Sequence, residues 1–404
     1  MSKKLWQTST DKLLPIVEKY TVGQDYILDQ KLLKYDLQAS LAHAEMLHKV
    51  NILSEDELAL LQQGLTEIND LLEKSQFEIT QDQEDGHTAI EQYLCTHYGD
   101  VGKKIHTGRS RNDQSLVMLR LFMKEKIHEI EKSIKDNVSC LRLKASENSN
   151  IPMPGYTHMQ KAMPTTVSTW LSSFADGLED SLLLISATTK IIDQNPLGSA
   201  SGFGIENFKH DRGYTTEKLG FGKSQDNPIY CAFSRGYFEK LVLQSLSNSM
   251  NIYSRFANDM MLFTMSEFGY FSLGNSFTTG SSIMPQKRNY DLFEIMRGNA
   301  KLYQGYLQQI TNIIDGVPSG YNRDYQLTKA PFFEAIELIE DTTLLFSIVV
   351  ANLQVHSDKL NEAMTSDLYV TEEVYKLVED GLSFRDAYVV VKKKINKTSL
   401  AKLF

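Results

Sequence analysis

The sequence predicts an all-α protein, a central bundle of long helices with smaller helical domains at its two ends. Three observations predict it. Apolar residues recur at helical spacing over stretches far longer than an average helix, proline is absent from the interior of those stretches, and strand-like alternation is sparse. The first pattern begins near Asp113 and carries Leu116, Leu119, Phe122, Ile127, Ile130, Ile134, Val138 and Leu141. A second runs from Thr165 to about Ile192 through Val167, Trp170, Leu171, Phe174, Leu178 and Leu182. A third runs from Ser234 to about Phe268 through Tyr237, Leu241, Met250, Tyr253, Phe256 and Met260. Two more extend from Asp291 to Ile314 and from Pro331 to Leu353, the latter opening on a proline, whose missing N–H costs nothing in a first turn.

Pro152-Met153-Pro154-Gly155, Asn195-Pro196-Leu197-Gly198 and Gly316-Val317-Pro318-Ser319-Gly320 punctuate these patterns, so the chemistry is expected in polar loops at helix ends. The stretch from Gly198 to Gly222 reads as a loop with a short hairpin. A helical domain is expected over residues 1–111, the bundle over 112–355, and a C-terminal helical domain over 356–404. Helices of about 30 residues reach roughly 45 Å. That exceeds the width of a small domain, and their many apolar positions call for burial between copies in an oligomer.

At 404 residues, with 42% hydrophobic and 23% charged, the chain suits two or three packed regions and neither a disordered nor a fibrous protein. The net charge of −9 with dispersed basic residues argues against a nucleic-acid partner. The basic end, Lys392-Lys393-Lys394 with Lys397 and Lys402, reads as solvated. Cys95, Cys140 and Cys231 are too far apart for a disulfide framework or a zinc cluster, which points to a reducing cytoplasm. The start, Met1-Ser2-Lys3-Lys4-Leu5-Trp6, leads into charged residues rather than a signal-peptide core, and no apolar run of about 18 residues occurs, so no membrane span is expected.

The densest chemistry lies in Thr279-Gly280-Ser281-Ser282-Ile283-Met284-Pro285-Gln286-Lys287-Arg288-Asn289, which joins a hinge glycine, hydroxyls, a cation and an amide between two helical patterns. It reads as a lid over an active site. Ser281 serves as acid or base only where something lowers its pKa, and Lys287 is the nearby charge for that. In Lys104-Ile105-His106-Thr107-Gly108-Arg109-Ser110-Arg111-Asn112-Asp113, Arg109 and Arg111 offer planar forks to carboxylates, and Asn112 or Asp113 caps the following helix. In Pro154-Gly155-Tyr156-Thr157-His158-Met159-Gln160-Lys161, His158 is the natural proton carrier at neutral pH. His87 and Glu91 stand at metal-ligand spacing without a third ligand, so no metal is expected, and no cofactor either.

The lid segment resembles the signature loop of the fumarase/aspartase superfamily, whose members eliminate fumarate from succinyl compounds. Thr107-Gly108-Arg109-Ser110-Arg111-Asn112-Asp113 is similar to the argininosuccinate lyase branch in particular, and the resemblance spans roughly residues 15 to 390. It implies a fumarase/aspartase-like helical fold, a homotetramer whose sites are shared between subunits, and conversion of argininosuccinate to arginine and fumarate. It further implies catalytic roles for Ser281, His158 and Lys287, with Glu294 orienting His158. Substrate binding is implied for His87, Arg109, Ser110, Arg111, Asn112, Thr157, Gln160 and Asn289, and, in Tyr321-Asn322-Arg323-Asp324-Tyr325-Gln326-Leu327-Thr328-Lys329, for Tyr321, Gln326 and Lys329. The chain departs from the pattern at Tyr290, where proline is usual, at Met163, where glutamine is usual, and near Gly23 and Asp25, where a substrate-contacting serine is usual. It also ends at Phe404, sooner than the resemblance implies, which leads one to expect a shortened C-terminal domain. Two rival readings are a sister lyase with another leaving group, such as adenylosuccinate lyase, and a crystallin-like structural protein. The Arg109-Ser110-Arg111 motif with Gln326 and Lys329 argues against the first, and intact Ser281, His158 and Lys287 argue against the second.

Overall fold

The computed structural model describes residues 14–401, and the side chains of residues 14–395. The start at Met1–Trp6 and the side chains of Lys397 and Lys402 lie outside that range. The five long patterns are helices: Arg111–Glu147, Val167–Ile192, Pro228–Phe263, Asp291–Ile314 and Lys329–Ala351. The fold is thus all-α, as the periodicity predicts.

One boundary and one connecting stretch differ from expectation for local reasons. The third helix starts earlier, because Asn227 Oδ1 accepts the amides of Ile229 (3.0 Å) and Tyr230 (3.1 Å), and Pro228 fills the first turn. That opening piece is broken from the rest at Arg235 (ψ 133°) and Gly236 (φ 73°). Gly236 donates its N–H to Glu239 Oε2 at 2.8 Å; its positive φ, and a Cβ that would lie 2.4 Å from Ile314 Cγ2, both call for glycine. The Gly198–Gly222 stretch is not a hairpin. It contains the helix Arg212–Lys218, capped by Asp211 Oδ1 on the Tyr214 amide at 2.9 Å, and is flanked by a short parallel pairing of Gln194–Asn195 with Lys223–Ser224.

Contacts gather the chain into two compact units. The first comprises residues 1–132, 181–248 and 301–340, the second residues 133–180, 249–300 and 341–404. The first has a core of Leu33, Leu37, Leu47, Leu61, Leu65, Leu94 and Ile105. In it the helix Asp100–Lys104 closes on Gly86–Tyr98 through Gly102, where a Cβ would stand 2.4 Å from the Cys95 backbone nitrogen. Backbone cannot give as a side chain can, so Gly102→Ala is expected to lower stability by about 3 kcal/mol. An unchanged denaturant midpoint would contradict this packing.

In the second unit Trp170 stacks on Phe271 (4.8 Å) and Phe256 (5.7 Å) and donates to Asp259 at 2.9 Å. Asn137 donates to the buried Tyr253 hydroxyl at 2.9 Å, which joins two polar groups inside an apolar core. The C-terminal helices Val370–Glu379 and Phe384–Ala401 pack through Val374, Ala387 and Val391.

Candidate functional site

In the first unit, four predicted residues join one network of carboxylates. Lys329 Nζ donates to Asp25 Oδ1 at 2.8 Å and to Asp29 Oδ1. Burial works to strip its proton, yet Asp29 and Asp25 hold its pKa above the usual lysine value. Burial in turn raises the Asp29 carboxyl. Asp29 Oδ2 accepts the Gly86 amide at 3.3 Å, which fixes the start of the helix carrying His87. His87 Nδ1 lies 2.5 Å from Asp36 Oδ2, and although burial opposes its charge, Asp36, Asp85 and Asp29 raise its pKa. Ser40 donates to Asp36 Oδ1 at 3.4 Å and accepts from Arg109 Nη1 at 3.1 Å. Arg111 Nη1 donates to Glu84 Oε2 at 3.3 Å, and its Nη2 reaches Asp85 Oδ2.

The consequences differ between residues. Arg109 is buried and spends Nη2 on the Ile105 carbonyl at 3.0 Å, so it holds its own loop to the helix Leu33–Lys49. Arg111 is partly exposed, with its charge aimed at acids. His87 has Asp36 as its partner rather than Glu91, which lies 3.9 Å from His106 Nδ1. Among the described residues no three His, Cys, Asp or Glu side chains gather as a metal site.

The cap of the long helix also differs in detail. Ser110 is the capping residue, accepting the Asn112 amide at 3.3 Å, while Asp113 Oδ1 reaches back to the Ser110 amide at 2.8 Å. Ser110 thus caps the second amide of the helix, and the Asp113 side chain in turn ties the Ser110 amide to the first turn. Asp113 Oδ2 accepts the amides of Gly198 and Ala200 at 3.1 Å each, and burial pushes its carboxyl up to about 6.

Gln326 is engaged as well. Its Nε2 donates to the carbonyls of Val22 (3.0 Å) and Thr21 (3.3 Å), and its Oε1 accepts Arg323 Nε at 3.1 Å. Beside it opens a cavity of about 560 Å³ lined by Tyr20, Asp25, Leu28, Arg323, Asp324 and Gln326 among others. Tyr321 packs edge-on to Tyr325 with ring centroids 6.2 Å apart.

The second unit holds the lid and the histidine. Two short strands, Thr279–Gly280 and Arg288–Asn289, pair antiparallel and make the lid a hairpin whose loop runs from Ser281 to Lys287. Ser281 Oγ accepts the amides of Ile283 (3.3 Å) and Met284 (3.0 Å). Two N–H dipoles aimed at one oxygen favour its anionic form. The loop stands in solvent, with Ile283 86% exposed and Lys287 also exposed. Its base is tied down: the Tyr290 hydroxyl accepts the Leu273 amide at 3.0 Å and donates to the Leu273 carbonyl at 3.2 Å, while Thr279 donates to Asp291.

His158 lies at the tip of a second hairpin, Pro152–Thr157 with Gln160–Thr166, in a segment whose glycine and prolines read as loop. His158 (φ 52°) and Met159 (φ 62°) form the two-residue turn between the paired Thr157 and Gln160. Positive φ at both central positions matches the twist of a tight hairpin but is costly without glycine, and such cost is concentrated at functional sites. Thr157, His158, Gln160 and Met163 are exposed. Glu294 is exposed in the first turn of its helix, and no hydrogen bond joins it to His158 among the described residues. The four carboxylates around Lys329 and His87 were not predicted as site residues. Their sequence trace is the helical spacing of Asp25 with Asp29 and of Asp36 with Ser40, and the Glu84-Asp85 pair just ahead of His87.

Residues 8–305 match the family model described as lyase. The chain is 38% identical over 399 residues to the argininosuccinate lyase of Thermotoga neapolitana, covering 98% of this chain and 99% of that protein. It is 40% identical to the argininosuccinate lyase of Sorangium cellulosum, covering 96% of this chain and 90% of that protein. Among solved structures, an EDDS lyase variant with bound fumarate superposes with a TM-score of 0.80 at 23% identity, over 97% of this chain and 78% of that one. The class II fumarase of Schistosoma mansoni gives 0.77 at 16% identity, over 94% and 93%. At those identities the structural likeness establishes the fold, which is the fumarase-like helical one.

Proposed function

This chain belongs to the lyase family alongside the argininosuccinate lyases, and from that premise we propose how its residues divide the work. Its reaction is that of a carbon–nitrogen lyase, the reversible elimination of fumarate from argininosuccinate to give arginine, a step of arginine biosynthesis. A proton leaves the carbon next to a carboxylate, the C–N bond breaks, a double bond forms in fumarate, and the departing guanidino nitrogen gains a proton. The observation that carries the assignment is Ser281, whose Oγ already receives two backbone amides on an exposed hairpin loop.

Ser281 is the preferred base. Its amide pair supports the alkoxide, and Lys287, Asn289 and the N-terminus of the helix Asp291–Ile314 supply positive potential for the doubly charged carbanion that follows. His158 then protonates the leaving nitrogen or steadies a carboxylate through a relay, with Glu294 of a neighbouring copy assigned to orient it, and the reverse assignment of acid and base uses the same two residues. Arg111, Asn112, Thr157, Gln160, Tyr321 and His87 are assigned to substrate binding, with Arg109 and Ser110 shaping the loop.

A homotetramer with shared sites is supported by apolar side chains that stand in solvent on the long helices, such as Leu183 (71%) in one unit and Leu344 (64%) in the other. A cytoplasmic location is the natural setting for the reaction. Among the described residues no helix is long and apolar enough to cross a membrane. The test is fumarate release, followed by ultraviolet absorbance, with argininosuccinate, adenylosuccinate and aspartate in parallel. Release from argininosuccinate is expected. Release from another substrate alone would overturn the specificity assignment.

A further inference from the structure

The loop that presents Arg111 and Asn112 is gripped by two histidines that the assigned reaction does not use. His43, on the helix Leu33–Lys49, directs Nε2 at the Thr107 carbonyl at 2.9 Å, and His210, just ahead of the helix Arg212–Lys218, directs Nε2 at the Gly108 carbonyl at 2.7 Å. Neither carbonyl takes a backbone N–H among the described residues, so the two rings satisfy what the turn itself leaves open. The fit is close. Gly108 turns the chain at φ 74°, and a Cβ there would lie 2.7 Å from both His210 Nε2 and Phe208 Cε1.

A carbonyl oxygen only accepts, so each ring carries its proton on Nε2. The surroundings favour that form. His43 is fully buried, its Nδ1 meets no partner among the described residues, and burial, then the Arg109 guanidinium, hold it well below the usual histidine pKa. Burial likewise lowers His210, with Arg212 adding to it against the opposing bond to Gly108. Both rings are therefore neutral single donors at neutral pH. The segment that carries His210 is tied a second time to the start of the long helix, where Asp113 Oδ2 accepts the Gly198 and Ala200 amides. His210 donates into the turn and Asp113 accepts just beyond it, so the direction in which Arg111 and Asn112 leave the turn is fixed from two points.

We propose, on the argininosuccinate reading above, that His43 and His210 are positioning residues for substrate binding: their Nε2–H groups clamp the Thr107 and Gly108 carbonyls and so aim Arg111 and Asn112 at the substrate. His210 is the separable half of the clamp. It is half-buried on a loop, whereas His43 lies in the core, so the His210 donor can be removed with the core of the first unit left in place.

The test uses the full-length protein, with His210→Leu removing the donor at similar size and His210→Gln keeping an N–H at similar reach. Hydrogen exchange of the 104–113 segment and fumarate release from argininosuccinate are read on the same preparations. His210→Leu is expected to speed exchange there by about 5- to 10-fold and to raise KM by a similar factor, the scale of one neutral hydrogen bond, with kcat within about twofold of the parent. His210→Gln is expected to bring both back to within about twofold of the parent. Equal impairment of the two variants would overturn the clamp, because a packing role alone does not distinguish them in this way. Parental exchange or an unchanged KM in a folded His210→Leu would overturn it too. Should His210→Leu fail to fold, nitrogen NMR of the parent decides: protons on Nε2 of both rings at neutral pH are the expected result, and a proton on Nδ1 alone in either ring would leave a carbonyl without its donor and overturn it. Exchange that responds in a protein releasing no fumarate would sustain the clamp on the loop and sink the assigned reaction. Fumarate release with no exchange response would do the reverse, and absence of both would sink the two together.

Discussion

Ser281→Ala is expected to lower kcat for fumarate release by about a thousandfold, within the range contributed by a positioned acid or base, while KM moves by less than about threefold. The variant loses one oxygen and nothing of the hairpin that carries it. The strand pairs Thr279 with Asn289 and Gly280 with Arg288 do not involve the Ser281 side chain, and the Tyr290 hydroxyl anchors the base independently. What disappears is the acceptor for the Ile283 and Met284 amides, so two N–H groups turn to solvent on an exposed loop, where water replaces the lost bonds at little cost. Stability should therefore be unchanged and the loss confined to the chemical step. A variant retaining a tenth or more of parental kcat would remove Ser281 from the reaction. A large rise in KM at constant kcat would make it a binding residue only.

The helical fold was legible because period and punctuation agree. Asp291 to Ile314 was bounded correctly by an acidic start and an unbroken apolar stripe, and the other long helices were located within a few residues. Where the sequence misled, a short-range device outweighed periodicity. Asn227 started a helix ahead of the main stripe, Gly236 broke it, and Asp211 capped a short helix inside a stretch whose glycines read as loop. His158 shows the opposite limit: positive φ without glycine or asparagine gives no local hint of a tight hairpin.

The candidate site was legible by residue type but not by partner. Lysines and arginines near polar loops read as hands held out to an anion, because sequence shows a charge and not what neutralises it. Folding brings Asp25, Asp29, Asp36 and Asp85 from separate segments onto Lys329, His87 and Arg111, and those long-range pairings decide which cations remain available. Arg109 is the sharpest case, since its fork is turned inward to Ser40 and the Ile105 carbonyl. For Ser281 the sequence points to Lys287 as the supporting charge, whereas the hydrogen bonds its Oγ accepts come from backbone amides within three residues.

Lys329→Met is expected to lower the stability of the first unit by roughly 3–5 kcal/mol, the cost of leaving a buried ion network without its cation. Methionine fills a similar volume, so packing is not the cause. Two carboxylates, Asp25 and Asp29, lose the same partner, and Asp29 is fully enclosed, with the Gly86 amide as its remaining donor. The sign of the pH dependence separates this account from a packing defect. In the parent the folded lysine pKa is raised above 10.5, so its contribution is complete below that pH and lost as pH climbs through the raised value. In the variant, Asp29 no longer has Lys329 to oppose burial, and its folded pKa rises further above 3.8. The deficit should therefore shrink as pH falls toward 4, where a protonated Asp29 needs no cation, and be largest near neutrality. Adding Asp29→Asn to Lys329→Met should recover a substantial part of the loss at pH 7. Denaturant unfolding of the parent, the single variant and the double variant at pH 4.5 and 7 measures it. A deficit independent of pH, with no recovery in the double variant, would show that Lys329 is held by packing rather than by its acids.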